Sequence, residues 1–244
     1  MSAISWGSLM LTANRRSKGF TLVELLVVVT IIGILAGLMM VAINAARRAA
    51  MRGRCANHMR ELAQGTVHYE QVKQGYPGFA NNLKGKKVSW VVMLLPYINR
   101  EDLFTLWRDS SGAPAAVRVN QTLCPADTVN AAMTDGLSFV VNFNIFIDRF
   151  ANPQRKFTGE DLESAALTPM ISERIDTTPR IWGGTNPVQS ALTFVWPYPP
   201  TNDLIISRVN SNHGGGSHVA FCDGHVEYLV DNTRCDQFLA GPKR

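Results

Sequence analysis

Between Glu24 and Arg47 the chain carries no charged residue for 22 positions. The run Phe20–Ile43, FTLVELLVVVTIIGILAGLMMVAI, is interrupted only by Glu24. At 1.5 Å of rise per residue, about 20 apolar residues cross the hydrocarbon core of a bilayer. Such a segment either spans a membrane or is wholly enclosed by protein. A cleavable secretory signal has a shorter apolar core, about 7–15 residues, ending in a small-residue cleavage site. This run is longer and leaves through Ala45-Ala46-Arg47-Arg48. A twin-arginine reading of Arg15-Arg16 fits poorly with Ser17-Lys18-Gly19. The segment is read as one membrane-spanning helix, residues 20–46.

Charge follows the same organisation. The chain of 244 residues has 24 Lys and Arg against 19 Asp and Glu, a net charge of +5. Residues 1–60 hold eight of the basic residues (Arg15, Arg16, Lys18, Arg47, Arg48, Arg52, Arg54 and Arg60) and one acid, Glu24. The remaining 184 residues carry 16 basic and 18 acidic side chains, a net of −2. The positive excess therefore brackets the apolar helix. The near-neutral bulk argues against a nucleic-acid partner, despite a pI near 9.2. Charged residues at 18% and apolar residues at 46% exclude a disordered chain.

Glu24 is the anomaly of the run. A carboxylate carried to the membrane centre costs roughly 2.5–3.5 kcal/mol on insertion scales. Two explanations stand: a partner of opposite charge, or a helix-start Glu at the interface, favoured by the helix dipole.

The stretch Lys18-Gly19-Phe20-Thr21-Leu22-Val23-Glu24-Leu25-Leu26-Val27-Val28 resembles the type IV prepilin signature: a basic leader, Gly, Phe, T-L-x-E and a long apolar helix. The resemblance extends to type II secretion pseudopilins. It implies that a prepilin peptidase cuts at Gly19|Phe20 on the cytoplasmic face and methylates the new Phe20 amine. It also implies that Glu24 neutralises an N-terminal amine, its own or a neighbouring subunit's, and so sets axial register during assembly. Within a low-dielectric environment such a pair offsets the cost of burying either charge alone.

A second stretch extends the likeness. Ser211-Asn212-His213-Gly214-Gly215-Gly216-Ser217-His218-Val219-Ala220-Phe221-Cys222-Asp223-Gly224-His225 is similar to the H-x9-DG element of a prepilin-like family abundant in planctomycete bacteria, with His213, Asp223 and Gly224 as the motif positions. Cys55 after an Arg-rich stem, Ser89-Trp90 leading to Leu94-Leu95-Pro96-Tyr97, and Cys124-Pro125-Ala126-Asp127 fit the same pattern. The chain departs from it at Val41, where many pilins carry Pro, at Gly214 for the Pro after the motif His, and at His218 and His225 for Asn and Ser.

The resulting expectation is an α+β, pilin-like fold. It has a cleaved leader (1–19), a transmembrane helix (20–46), an amphipathic stem (47–76) and a globular domain (77–244) built on an antiparallel sheet. Met51, Cys55, Met59, Leu62, Thr66 and Tyr69 recur at helical spacing and mark the stem's buried face. Gly75 and Pro77 end it. Ser89–Ile98 reads as a short helix or strand, and Asn99 with Asp102 as the cap of a helix over Arg100–Trp107. Strands are expected at 137–141, 170–171, 191–195 and 204–206. Asp223-Gly224 predicts a two-residue type I′ hairpin. That register places Val219, Phe221, Val226 and Tyr228 on the face toward the stem, with His218, Cys222, His225 and Glu227 on the other.

No metal or other cofactor is expected. The one alternative is His218, Cys222 and His225 on the polar hairpin face, with His213 as a further ligand. His213 and Asp223 are read instead as fixing loop and turn by hydrogen bonds. Four cysteines allow three disulfide pairings, and spacing does not choose among them. Cys55–Cys124 with Cys222–Cys235 is the working expectation. No catalytic residue is identified. Ser217 lacks the G-x-S-x-G context, and Gly214-Gly215-Gly216 does not join a strand to a helix as a phosphate loop does.

The expected function is therefore structural and not enzymatic: a subunit of a type IV pilus or type II secretion pseudopilus. The expected partners are prepilin peptidase, other pilin or pseudopilin subunits and inner-membrane lipid. The alternative is a membrane-anchored periplasmic or surface binding domain that does not polymerise. The protein is placed as a single-pass inner-membrane protein with a cytoplasmic leader. Charge counting alone opposes this orientation, because Arg47, Arg48, Arg52 and Arg54 outnumber Arg15, Arg16 and Lys18.

Overall fold

The structure, a computed structural model, describes residues 20–174, 180–183, 193–194 and 211–230. The expected leader with Gly19, the strand expected at 204–206 and Cys235 lie outside the described residues. The chain divides into two units, Met1–Ala46 and Arg47–Arg244.

Helix α1 runs Leu22–Lys73 and crosses the boundary between the units. Its start is set by a reciprocal cap. Thr21 Oγ1 accepts from the Glu24 backbone N–H at 3.2 Å, and Glu24 Oε2 accepts from the Thr21 N–H at 2.9 Å. The T-L-V-E of the sequence is thus a capping box, which satisfies two orphan donors of the first turn. Through Ala46 every side chain is exposed, including Leu22 and Val41, and the helix continues unbroken past Val41. It is long and apolar enough to cross a membrane.

The second unit is organised on the stem, the part of α1 from Arg47 onward. Cys55, Met59, Leu62, Ala63, Gly65, Thr66 and Tyr69 are buried along one face, and Met51 is half-buried. The helix stops at Lys73, where Gln74 turns left-handed at φ 53°, three residues before the expected stem end. Tyr76 N–H already donates to Phe157 O at 2.7 Å.

Strands β1 (Ala80–Leu83) and β2 (Lys86–Ser89) then pair antiparallel across Lys84-Gly85, both at positive φ, which is the type I′ geometry. Of the two readings of 89–98, the helix prevails: α2 (Trp90–Leu94) runs into a 3-10 turn, Leu95–Ile98. Helix α3 (Glu101–Asp109) corrects the expected cap. Asn99 is left-handed at φ 59° and closes the preceding turn, while the Asp102 carboxylate is taken by Arg100 at 3.0 and 3.1 Å. The short α4 (Thr128–Ala131) precedes the main sheet.

That sheet comprises β3 (Phe139–Asn142), β4 (Pro169–Glu173), β5 (Thr193–Phe194), β6 (Gly216–Phe221) and β7 (Val226–Val230), ordered β5-β3-β4-β6-β7. All neighbours are antiparallel except β3 and β5. Stem residues Cys55, Met59, Leu62 and Tyr69 share one core with Phe139, Val141, Ile171 and Ala220 of the sheet and with Trp90, Leu94 and Leu95. The fold is α+β and pilin-like, as the sequence led us to expect.

The terminal hairpin corrects the expected register by one residue. Ala220 pairs with Val226 and His218 with Tyr228. The connection is a three-residue loop, Cys222-Asp223-Gly224, in which Gly224 alone is left-handed, at φ 91°. A type I turn closed by a left-handed residue is the next commonest hairpin after the two-residue forms. The Asp223 carboxylate favours it by accepting from His225 N–H at 3.0 Å. A one-residue slip exchanges faces along a strand. His218, Ala220 and Cys222 now share a face with Val226 and Tyr228, and Ala220 and Cys222 belong to the core that includes Cys55. Val219 and Phe221 lie on the opposite face, with His225 stacked on Phe221 at 4.4 Å.

Candidate functional site

The register shift turns His218 inward, toward a buried carboxylate. Glu173 ends β4 with none of its surface exposed, and three donors from distant parts of the chain converge on its Oε1. Cys55 Sγ, on the buried face of the stem, donates at 2.5 Å. His218 Nδ1, from β6, lies 2.8 Å away, and its backbone N–H reaches Glu173 Oε2 at 3.3 Å. His213 Nε2 lies 3.5 Å from Oε1 and 3.2 Å from Cys124 Sγ. The ligand-type atoms of Cys55, Glu173, His213 and His218 all lie within 4.8 Å of one another.

Local chemistry holds each member. Cys124 O accepts from Asp127 N–H at 2.9 Å, and Asp127 caps α4, accepting from Asn130 N–H at 3.1 Å and Asn130 Nδ2 at 2.6 Å. The C-P-A-D stretch is therefore a folded bracket around Cys124. Asn212 Nδ2 donates to Ala126 O at 2.9 Å, which docks the His213 loop on that bracket. Arg52 of the stem donates to His213 O at 2.9 Å and lies 4.6 Å over the Tyr228 ring. Arg52, one of the four arginines that follow the apolar segment, is thus engaged with its own domain. The loop turns through Gly214 and Gly215 into Gly216, where a Cβ would meet Leu229 O at 2.2 Å, so only glycine fits that approach of β7.

The electrostatics follow from this crowding. Burial works to raise the Glu173 carboxyl, but bonds from His213, His218 and Cys55 outweigh it and hold the group well below the usual carboxylate range. The contacts to Cys124 and Glu173 push His213 up to about 9. Burial and its hydrogen bond with Cys124 push the Cys55 thiol up, and that same bond draws Cys124 down. A buried carboxylate is costly unless it is paired and hydrogen-bonded, and among the described residues the partners of Glu173 are imidazole and thiol, with no Lys or Arg.

The residues singled out from the sequence divide accordingly. Cys55 and Cys124 are brought together, as two free thiols rather than the expected disulfide. Cys222 is also a free, buried thiol, and the pairing expected for it with Cys235 lies outside the described residues. Of the alternative metal set, His218 enters the cluster, but Cys222 and His225 do not. Cys222 lies against Tyr76, whose hydroxyl is 3.5 Å from Cys222 O, and His225 bonds Asp223 at the exposed turn. Asp223 and Gly224 shape the hairpin turn, whereas the His213 ring leaves its loop for the buried cluster. Glu173 was missed by sequence reading, since nothing in Pro169-Met170-Ile171-Ser172-Glu173 distinguishes it from a strand-end acid.

At the other end, Phe20 and Glu24 stand at the head of the exposed apolar helix. Thr21 Oγ1 also bonds Glu24 Oε2, at 2.8 Å, so both Thr21 bonds fall on that one oxygen.

A long apolar helix that continues into a stem packed on a largely antiparallel sheet defines a pilin-like protein, and the helix fits a single-pass membrane anchor. Two family models agree with that class: residues 14–40 match the prokaryotic N-terminal methylation motif, and residues 44–186 match a family described as protein of unknown function (DUF1559). The second covers more than half of the chain, and the protein belongs to that prepilin-like family. The matched range ends before His213, so the H-x9-DG element stands outside it. No curated protein and no solved structure matches the chain.

Proposed function

We propose that the protein is a prepilin-like structural subunit. A prepilin peptidase cuts it at Gly19|Phe20 and methylates the Phe20 amine, and the mature chain enters a type IV pilus or a type II secretion pseudopilus. The observation that carries this reading is the methylation-motif match over 14–40, which spans Gly19, Phe20, Glu24 and the first turns of the exposed apolar helix. Glu24 has two tasks in this scheme. One carboxylate oxygen completes the capping box with Thr21, and the other takes a bond from a methylated amine on assembly. The leader lies in the cytoplasm, and the domain from Arg47 onward is presented in the periplasm or on the cell surface.

N-terminal sequencing and intact mass of the membrane-extracted protein test the processing step. The expected result is an N-methyl-Phe20 start, and any other start refutes it. Glu24→Ala tests assembly. The variant is expected to be processed and inserted but excluded from filaments, and unchanged incorporation refutes the ion-pair role. A processed wild-type chain that never enters a filament supports the non-polymerising anchor instead.

A further inference from the structure

We propose that Cys55, Glu173, His213 and His218 form a binding centre for a divalent transition metal of the zinc class, with Cys124 as the supporting neighbour of His213. Thiolate, imidazole and carboxylate are the ligand types zinc takes, and four of them at one buried point match the count of a closed structural site. The geometry is close. With bonds of about 2.0–2.3 Å, a tetrahedral zinc sets its ligand atoms roughly 3.3–3.8 Å apart. Three of those contacts here measure 2.5, 2.8 and 3.5 Å, all to Glu173 Oε1. Hydrogen bonds draw Glu173 Oε1 in among the other three ligand atoms, and an outward shift of about 1 Å at Glu173 opens the tetrahedron. Metal binding displaces the thiol and imidazolium protons that now bond the carboxylate, since thiolate and neutral imidazole are the ligand forms.

The ligands come from the stem, β4, the loop before β6, and β6 itself. Cys55 and Glu173 are separated by 118 positions and Glu173 and His218 by 45. A metal at this point clamps the stem to the sheet and to the family-motif loop together. Access is available from the side of Cys124, which lines a surface cleft of about 420 Å³ with Arg54, His58, Arg118 and Asn120.

The test is metal titration of the full-length chain in detergent, reduced and stripped with chelator, using zinc and separately cobalt(II). The expected result is one zinc per chain and a tetrahedral cobalt spectrum with thiolate charge transfer. Both are lost in Cys55→Ser and His218→Gln. His213→Gln, a change on a loop, serves if the core variants fail to fold by circular dichroism. Cys124→Ser is expected to weaken binding by roughly 10–100-fold, the usual cost of losing a group that orients a ligand. His225→Asn, on the exposed turn, binds as wild type. The proposal is overturned if no zinc is retained, if folded Cys55→Ser, His213→Gln or His218→Gln binds like wild type, or if binding is lost in His225→Asn. It is equally overturned if protein isolated without reductant contains only a Cys55–Cys124 disulfide by mass.

Discussion

Asp127 supports the bracket that presents Cys124, and its removal can be worked out bond by bond. The side chain is fully buried and accepts two bonds from one residue, the Asn130 backbone N–H and Asn130 Nδ2. Asp127→Ala removes a helix cap, worth about 1 kcal/mol. It also leaves Asn130 Nδ2 buried without that acceptor, at about 1–3 kcal/mol. The sum is about 2–4 kcal/mol, or roughly 5–15 °C in Tm for a domain of this size. Asp127→Asn keeps an oxygen for the backbone N–H but sets one amide NH2 against another, so it should cost about 1–2 kcal/mol less than Ala. The assay is urea unfolding of the full-length chain in detergent, followed through tryptophan fluorescence, since Trp90, Trp107 and Trp182 are all buried. A double-mutant cycle with Asn130→Ala should return a coupling of about 1–3 kcal/mol. An Asp127→Ala cost below about 0.5 kcal/mol, or no coupling, refutes the bracket as described.

Three further outcomes are expected. Trp90→Ala, at the centre of the shared core and fully buried, should cost about 3–5 kcal/mol in the same unfolding assay. Gly224→Ala forces a Cβ onto φ 91° and should cost about 1–2 kcal/mol, whereas a two-residue turn elsewhere in the hairpin would make it neutral. Burial pushes the Cys222 thiol up to about 12 from an ordinary 9.0, so iodoacetamide should label it far more slowly at pH 8 in the folded chain than in urea. By the same shift, the folded state retains this contribution below pH 9 and loses it as pH rises toward about 12, readable as a falling urea midpoint over that window.

Much of the architecture was legible because its physics is local. Anchor length follows from apolar residues counted along one helix, and the stem's buried face from spacings of three and four that one helix enforces. Asn99 misled because a residue suited to helix caps is equally suited to a left-handed turn, and the tight passage from Ile98 to Arg100 required the latter. The hairpin failed for a related reason. Asp-Gly announces a tight turn without fixing its loop length, and the Asp223 carboxylate bound to His225 N–H selects the longer form. That single residue of register decides which side chains face the stem.

The buried cluster depends on that decision, and so could not be read from any one segment. In the two-residue register His218 faces away from the stem, with Cys222 and His225, and a ligand set sought within the hairpin is the natural result. In the observed register His218 meets Glu173 at 2.8 Å, and Cys55 and His213 complete the set from the stem and from the loop. Each of these residues has an ordinary local explanation: a stem cysteine, a strand-end acid, a loop histidine, a strand histidine. Their meaning appears only where four elements close on one carboxylate. A carboxylate buried there, with no Lys or Arg partner among the described residues, is stable only with protons or a cation shared among its neighbours. The motif histidine therefore acts less as a fastening of its own loop than as the loop's contribution to the charge balance of the core.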